Sequence, residues 1–171
     1  IAIFKTLLLL IKGQHMKILY ICTHNRCRSI LSEAITNQIA GDVIEAKSAG
    51  SQPAGVVHPL SLKYLAQTGY AIDGLQSQSW DDFEDFQPDV VVTVCDSAAG
   101  EACPLYFGNS LKVHWGLSDP SKIEGDEVQT EQAFIACIDE IVERVQKLKN
   151  IAAQYLDKDA LKLELAEIGA H

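Results

Sequence analysis

Basic residues are scarce in this chain: 14 lysines and arginines stand against 23 aspartates and glutamates, a net charge of -9. Without a basic face, general nucleic-acid binding is excluded. Any anionic substrate has to be drawn in by a local positive spot against an unfavourable overall field. Long apolar runs are missing too. The stretch Thr6-Leu7-Leu8-Leu9-Leu10-Ile11 falls far short of the ~20 residues that span a bilayer. Flanked by Lys5 and Lys12 it superficially resembles a signal peptide, but the run is short and no small-residue cleavage site follows it, so a secretory leader is not expected. No Cys-x2-Cys pair or Cys/His cluster offers a structural zinc site, so no metal is expected. The cysteines, at 22, 27, 95, 103 and 137, are odd in number and irregularly spaced. That argues against a disulfide framework and for reactive thiols in the cytoplasm. Repeats and low-complexity segments are absent as well. Met16 is the single methionine and a strand pattern follows it at once. The expected division is an N-terminal extension over 1–15, an α/β unit over 16–150 and a helical extension over 151–171, working as a monomer without membrane attachment.

The composition that remains, 47% apolar and 22% charged over 171 residues, suits one well-buried core. Lys17–Ile21 reads as a short buried strand, and Ile30, Leu31, Ala34, Ile35 and Ile39 repeat at helical spacing behind Ser29, a good capping type. Between them a polar loop opens with Cys22 and closes with Arg28. Such a loop presents backbone N–H groups and the positive end of a helix dipole at one point, a ready anion site. Arg28 adds a fork of donors matched to a tetrahedral oxyanion. The same positive groups favour loss of the Cys22 proton.

Val43–Ala46 reads as a second strand, and His58-Pro59 opens a helix ending at Gly69. Residues 70–88 read as loop with an acidic segment at Asp81–Asp85. Asp89–Cys95, with four valines, is the clearest strand, as expected for one buried on both faces. A small-residue loop covers 96–102, Leu111–Trp115 forms a fourth strand, and a long helix spans about Glu127–Leu148 with Cys137 in its core stripe. Leu156, Leu161, Leu163, Leu165 and Ile168 mark a last helix. Strands alternating with helices predict a doubly wound α/β fold with a four-stranded parallel sheet. Ligands in such sheets bind beyond the carboxyl ends of the strands, where strand order reverses. Cys22, Cys95 and the Trp115–Pro120 turn all follow strands, so one edge collects them.

Cys22-x5-Arg28-Ser29 after the first strand, with Asp119-Pro120 late in the chain, resembles the low-molecular-weight protein tyrosine phosphatase superfamily. Val91–Asp96, Ala102-Cys103-Pro104 and Lys112–Pro120 make the chain similar to the arsenate reductases of that fold. The resemblance implies that the loop residues Thr23, His24, Asn25, Arg26, Cys27 and Arg28 hold arsenate while Cys22 attacks it. Ser29 would stabilise the thiolate and Asn25 would shape the loop. Asp119 would protonate the leaving oxygen. Cys95 and then Cys103 would pass the resulting disulfide outward. Reducing equivalents would come from thioredoxin, or from glutathione with glutaredoxin, and no bound cofactor is implied. Some thioredoxin-linked relatives hold potassium at positions matching Asn25, Glu33 and Ser48 plus an aspartate that residues 77–80 do not supply. Seven residues separate Cys95 from Cys103, one more than expected for the thioredoxin-linked branch. The residues leave two alternatives: a low-molecular-weight phosphatase using Cys22, Arg28 and Asp119 alone, and a non-catalytic oxyanion-binding or redox-sensing protein. Phosphatases of this group place aromatic residues after the Asp-Pro pair, where Ser121-Lys122 stand here.

Overall fold

The computed structural model describes residues 15–101 and 104–170, with the backbone alone at Tyr106; residues 1–14 of the expected N-terminal extension and Cys103 lie outside the described residues. Strand β1 (Met16–Ile21) buries Ile18, Leu19, Tyr20 and Ile21 completely, which explains its unbroken apolar sequence. It lies at the middle of a four-stranded parallel sheet of order β2-β1-β3-β4. On one side it pairs with β2 (Ile44–Ala49), Met16 opposite Ile44. On the other it pairs with β3 (Val90–Thr93), Ile18 opposite Val90, and β3 in turn with β4 (Leu111–His114). The second strand is longer than its apolar sequence suggests because Lys47 and Ser48 continue the ladder.

Helix α1 (Arg28–Ala40) is buried around most of its circumference, so polar residues enter the core with partners. The Tyr20 hydroxyl and Thr36 Oγ1 are 2.8 Å apart, and Ser32 Oγ donates to the Arg28 carbonyl at 2.8 Å. Ser29 does not cap this helix: Arg28 already lies inside it, and Cys27 at its N-terminus gives no side-chain cap. Helix α2 (Pro59–Gln67) starts with Pro59 in its first turn and the His58 ring accepting from Leu60 N–H. Residues Trp80–Phe86, in a stretch expected as loop, form a tight 3-10 turn capped by Ser79. After β3 a four-residue helix, α3 (Asp96–Ala99), replaces the start of the expected 96–102 loop.

Helix α4 (Glu127–Ala152) starts in a capping box between Asp126 and Gln129 and packs along α1. It brings Arg144 against the loop after β4, where one guanidinium nitrogen donates to the Trp115 carbonyl at 3.0 Å. Helix α5 (Lys158–Gly169) closes over β4, burying Leu165 and Ile168, and the Leu165 carbonyl accepts from the Trp115 indole at 2.9 Å. Gly169 makes that seat: a Cβ there would lie 2.5 Å from Trp115 Cδ1. Among the described residues, no helix is long and apolar enough to cross a membrane.

Candidate active site

The strand order reverses between β1 and β3, and the chain leaves these neighbouring strands at Cys22 and near Cys95. The loop between β1 and α1 owes its shape to the direction of its carbonyls. Those of Thr23, His24 and Arg26 point outward, accepting from the N–H groups of Gln52, Ala54 and His58 at 2.9 Å each. That outward bonding leaves the loop's N–H edge for the pocket, the polarity an anion needs. Asn25 adopts φ 45°, and its buried side chain donates to Ser29 Oγ while accepting from Gln78 N–H, both at 2.8 Å. Asparagine suits both tasks, tolerating the left-handed conformation and bonding the backbone.

Gly50, directly after β2, fits underneath. A Cβ on it would lie 2.5 Å from the Thr23 carbonyl oxygen and 2.7 Å from that of Cys22. Sequence reasoning passed over this residue; the signal was a glycine closing a strand, which marks a close backbone approach.

The loop, β3 and the turn after β4 enclose a pocket of about 280 Å³ lined by Cys22, Thr23, His24, Arg26, Cys27, Arg28, Cys95, Ser97, Asp119 and Lys122. It gathers Cys22, Arg28, Cys95 and Asp119 from three separate strand ends, as the sequence anticipates. Asn25 and Ser29 are buried behind the loop, where Asn25 braces it through its side-chain bonds to Ser29 and Gln78. His24 is exposed, its Nδ1 3.0 Å from the Gln52 carbonyl oxygen. Cys27 and Cys137 are buried free thiols, and burial pushes Cys27 up to about 11 and Cys137 up to about 12.

Arg28 donates to the Leu117 carbonyl at 2.9 Å and meets Asp119 Oδ2 at 3.5 Å, both side chains largely shielded from water. Burial raises the Asp119 carboxyl, but the Ser121 hydroxyl and N–H, then Arg28 and Lys122, bring it below its ordinary value, so it is ionised at rest. The free thiols of Cys22 and Cys95 line the same pocket, near enough for each to bear on the other's titration. That proximity, reinforced by burial, pushes Cys22 up against the opposing Arg28 charge and His24 N–H. The Cys95 sulfur is lowered to about 5, first by the neighbouring Cys22, then, against burial, by the N–H groups of Thr23 and Ala98 and last by the Thr23 hydroxyl. The two thiols therefore titrate as one coupled pair, and ionisation of either disfavours ionisation of the other.

Asn25 is committed to Ser29 and Gln78, Ser48 Oγ donates to Glu33 Oε1 at 2.8 Å, and no aspartate joins them from residues 77–80. Burial raises the Glu33 carboxyl above the ordinary glutamate value of 4.5, so the folded state holds its proton more firmly than the unfolded chain. Stability accordingly declines as pH climbs from that value through the folded one. Glu33→Gln, which keeps an acceptor for Ser48, is expected to raise Tm near pH 7 and to give no gain near pH 4. Thermal unfolding at the two pH values checks this.

Residues 17–162 match the family described as low molecular weight phosphotyrosine protein phosphatase. An arsenate reductase of Halalkalibacterium halodurans is 35% identical over 129 residues, 75% of this chain and 91% of that protein. The arsenate reductase of Bacillus subtilis is 33% identical over 77% of this chain and 94% of its own. Among solved structures, a thioredoxin-dependent arsenate reductase of Corynebacterium glutamicum superposes with TM-score 0.65 at 28% identity over 84% of this chain. This chain spans only 65% of that protein's length. An arsenate reductase from Archaeoglobus fulgidus matches with TM-score 0.64 at 26% identity, covering 78% of this chain and 98% of the other. Parallel sheet, strand-end loop and motif thus agree with these likenesses, and the chain belongs to the low molecular weight phosphotyrosine protein phosphatase family, on the side of it occupied by arsenate reductases.

Proposed function

We propose that this protein reduces arsenate to arsenite, with residues 16–150 carrying the chemistry. The observation that supports it is the meeting of two free thiols, Cys22 and Cys95, in one pocket with Arg28 and Asp119. Ester hydrolysis has no use for a second thiol there, whereas reduction through a disulfide requires one.

Arsenate enters on the loop N–H groups of Thr23–Arg28, and its negative oxygens replace Asp119 as partner of the Arg28 guanidinium. Cys22 Sγ attacks arsenic. Its proton passes to the Asp119 carboxylate and from there to the departing oxygen, which leaves as water. A Cys22–arsenic(V) bond remains. The Cys95 thiolate then attacks Cys22 Sγ, and the electron pair of the sulfur–arsenic bond stays on arsenic, which departs as arsenite. Two electrons have moved and one Cys22–Cys95 disulfide has formed. Cys103 takes Cys95 over in turn, releasing Cys22 as a thiolate. A dithiol donor, thioredoxin or the glutaredoxin–glutathione system, reduces the Cys95–Cys103 disulfide.

Purified protein is assayed with arsenate, NADPH and each donor system separately, alongside an aryl phosphate. Cys95→Ser is expected to abolish catalytic arsenite production while leaving hydrolysis of the aryl phosphate near that of the unaltered protein. The phosphatase alternative, favoured by the family match, predicts vigorous hydrolysis indifferent to Cys95→Ser and no arsenite; that result would overturn the proposal.

A further inference from the structure

Glu101 has no part in the chemistry above, yet its carboxylate reaches into it. Oε1 accepts a hydrogen bond from Thr23 Oγ1 at 2.9 Å. The same hydroxyl oxygen stands 3.8 Å from Cys95 Sγ. A threonine hydroxyl carries one proton. Directed to Glu101 at 2.9 Å, that hydrogen is offered only weakly to the sulfur at 3.8 Å, where it favours the charged form.

Glu101 also ends the short segment that follows Cys95. Its N–H bonds to the Ala98 carbonyl at 3.2 Å, and at the other end Asp96 Oδ1 lies 3.0 Å from His114 Nε2. Two carboxylates therefore fasten the segment, one to β4 and one to the oxyanion loop. Only the second touches a group that also faces a reacting sulfur.

We propose that Glu101 is a positioning residue for Cys95: it holds segment 96–101 against the oxyanion loop by accepting the Thr23 hydroxyl hydrogen bond, and frees that donor to turn fully to Cys95 when the segment lifts. Closed, the segment keeps Cys95 the more basic and more nucleophilic thiolate. Lifted, as an onward transfer of the disulfide requires, it leaves Cys95 with one donor more. The assignment rests on the reading of Cys95 as the second thiol of the reaction.

The test reads Cys95 itself and needs no turnover, so its failure and failure of the proposed activity are separate results. Reduced protein is alkylated with iodoacetamide across pH 4–9, and the rate at Cys95 is followed by peptide mass spectrometry. The other titratable groups around Cys95 are Cys22, His24, Arg26, Cys27 and Arg28 on the loop, Asp119 and Lys122 opposite, and Asp96 and His114 beside its helix. All are kept in every variant. Glu101→Ala is expected to lower the midpoint of Cys95 alkylation by about half a pH unit, roughly a threefold change in the ionisation constant. In a Thr23→Val background the same substitution is expected to give less than half that change, because the proton in dispute is gone. Glu101→Gln, which keeps an acceptor for Thr23, stays closer to the unaltered protein than to Glu101→Ala. Three results would overturn the proposal: no shift in Glu101→Ala, an equal shift with and without Thr23, or Glu101→Gln behaving as Glu101→Ala.

Discussion

Cys22→Ser is expected to lower kcat/KM for arsenate by at least about 10³-fold. Serine is nearly the same size, so the buried site accommodates it. The chemistry does not survive the exchange. An alkoxide is far harder to form than a thiolate, and an oxygen bound to arsenic offers Cys95 no sulfur to attack. Even a rare serine adduct would therefore stop before any electron moved. Arsenite measured in a coupled assay, with thermal unfolding as the check on folding, decides the matter: loss of turnover with Tm nearly unchanged is the predicted pair. Retained turnover would assign the nucleophile elsewhere.

Gly50→Ala is expected to give the largest effect outside the reacting groups. The introduced Cβ meets two carbonyl oxygens of the catalytic loop at 2.5 and 2.7 Å and Asn25 N at 3.1 Å. These are backbone atoms, so no side chain can swing aside. Nor can Gly50 retreat, since its N–H bonds to the Gln78 carbonyl at 2.9 Å and its carbonyl accepts from Trp80 N–H at 3.0 Å. The loop must shift, turning N–H groups away from the oxyanion. A stability loss of about 1–3 kcal/mol, typical of overpacking, should accompany a fall in kcat/KM of about 10²-fold from misplacement. Denaturant unfolding and the arsenate assay measure the two separately. An active, equally stable variant would mean that the loop tolerates displacement.

What the sequence made legible was whatever repeats a simple period or sits at a strand end. The apolar runs at Lys17–Ile21 and around Val90–Val94 give the two central strands, and Cys22, Cys95 and Asp119 meet because all three follow strands of one parallel sheet. Boundaries were less legible where side chains bond rather than pack. Ser29 looks like a cap, but its hydroxyl accepts from Asn25, and the helix begins a residue earlier. Small residues at 96–99 suggest a loop, yet Cys95 accepting from Ala98 N–H turns them into a helical turn. The coupling of the Cys22 and Cys95 thiols depends on the meeting of residues 73 positions apart, which no local pattern encodes. The same holds for the seat that Gly169 and the Leu165 carbonyl make for Trp115.

The account turns on arsenic being released by formation of a bond between two particular sulfurs. In Cys103→Ser protein, reduced and then freed of donor, one addition of arsenate should leave a Cys22–Cys95 disulfide in non-reducing peptide maps, one for each arsenite formed. Arsenite appearing in that amount while Cys95 still alkylates as a free thiol would contradict it.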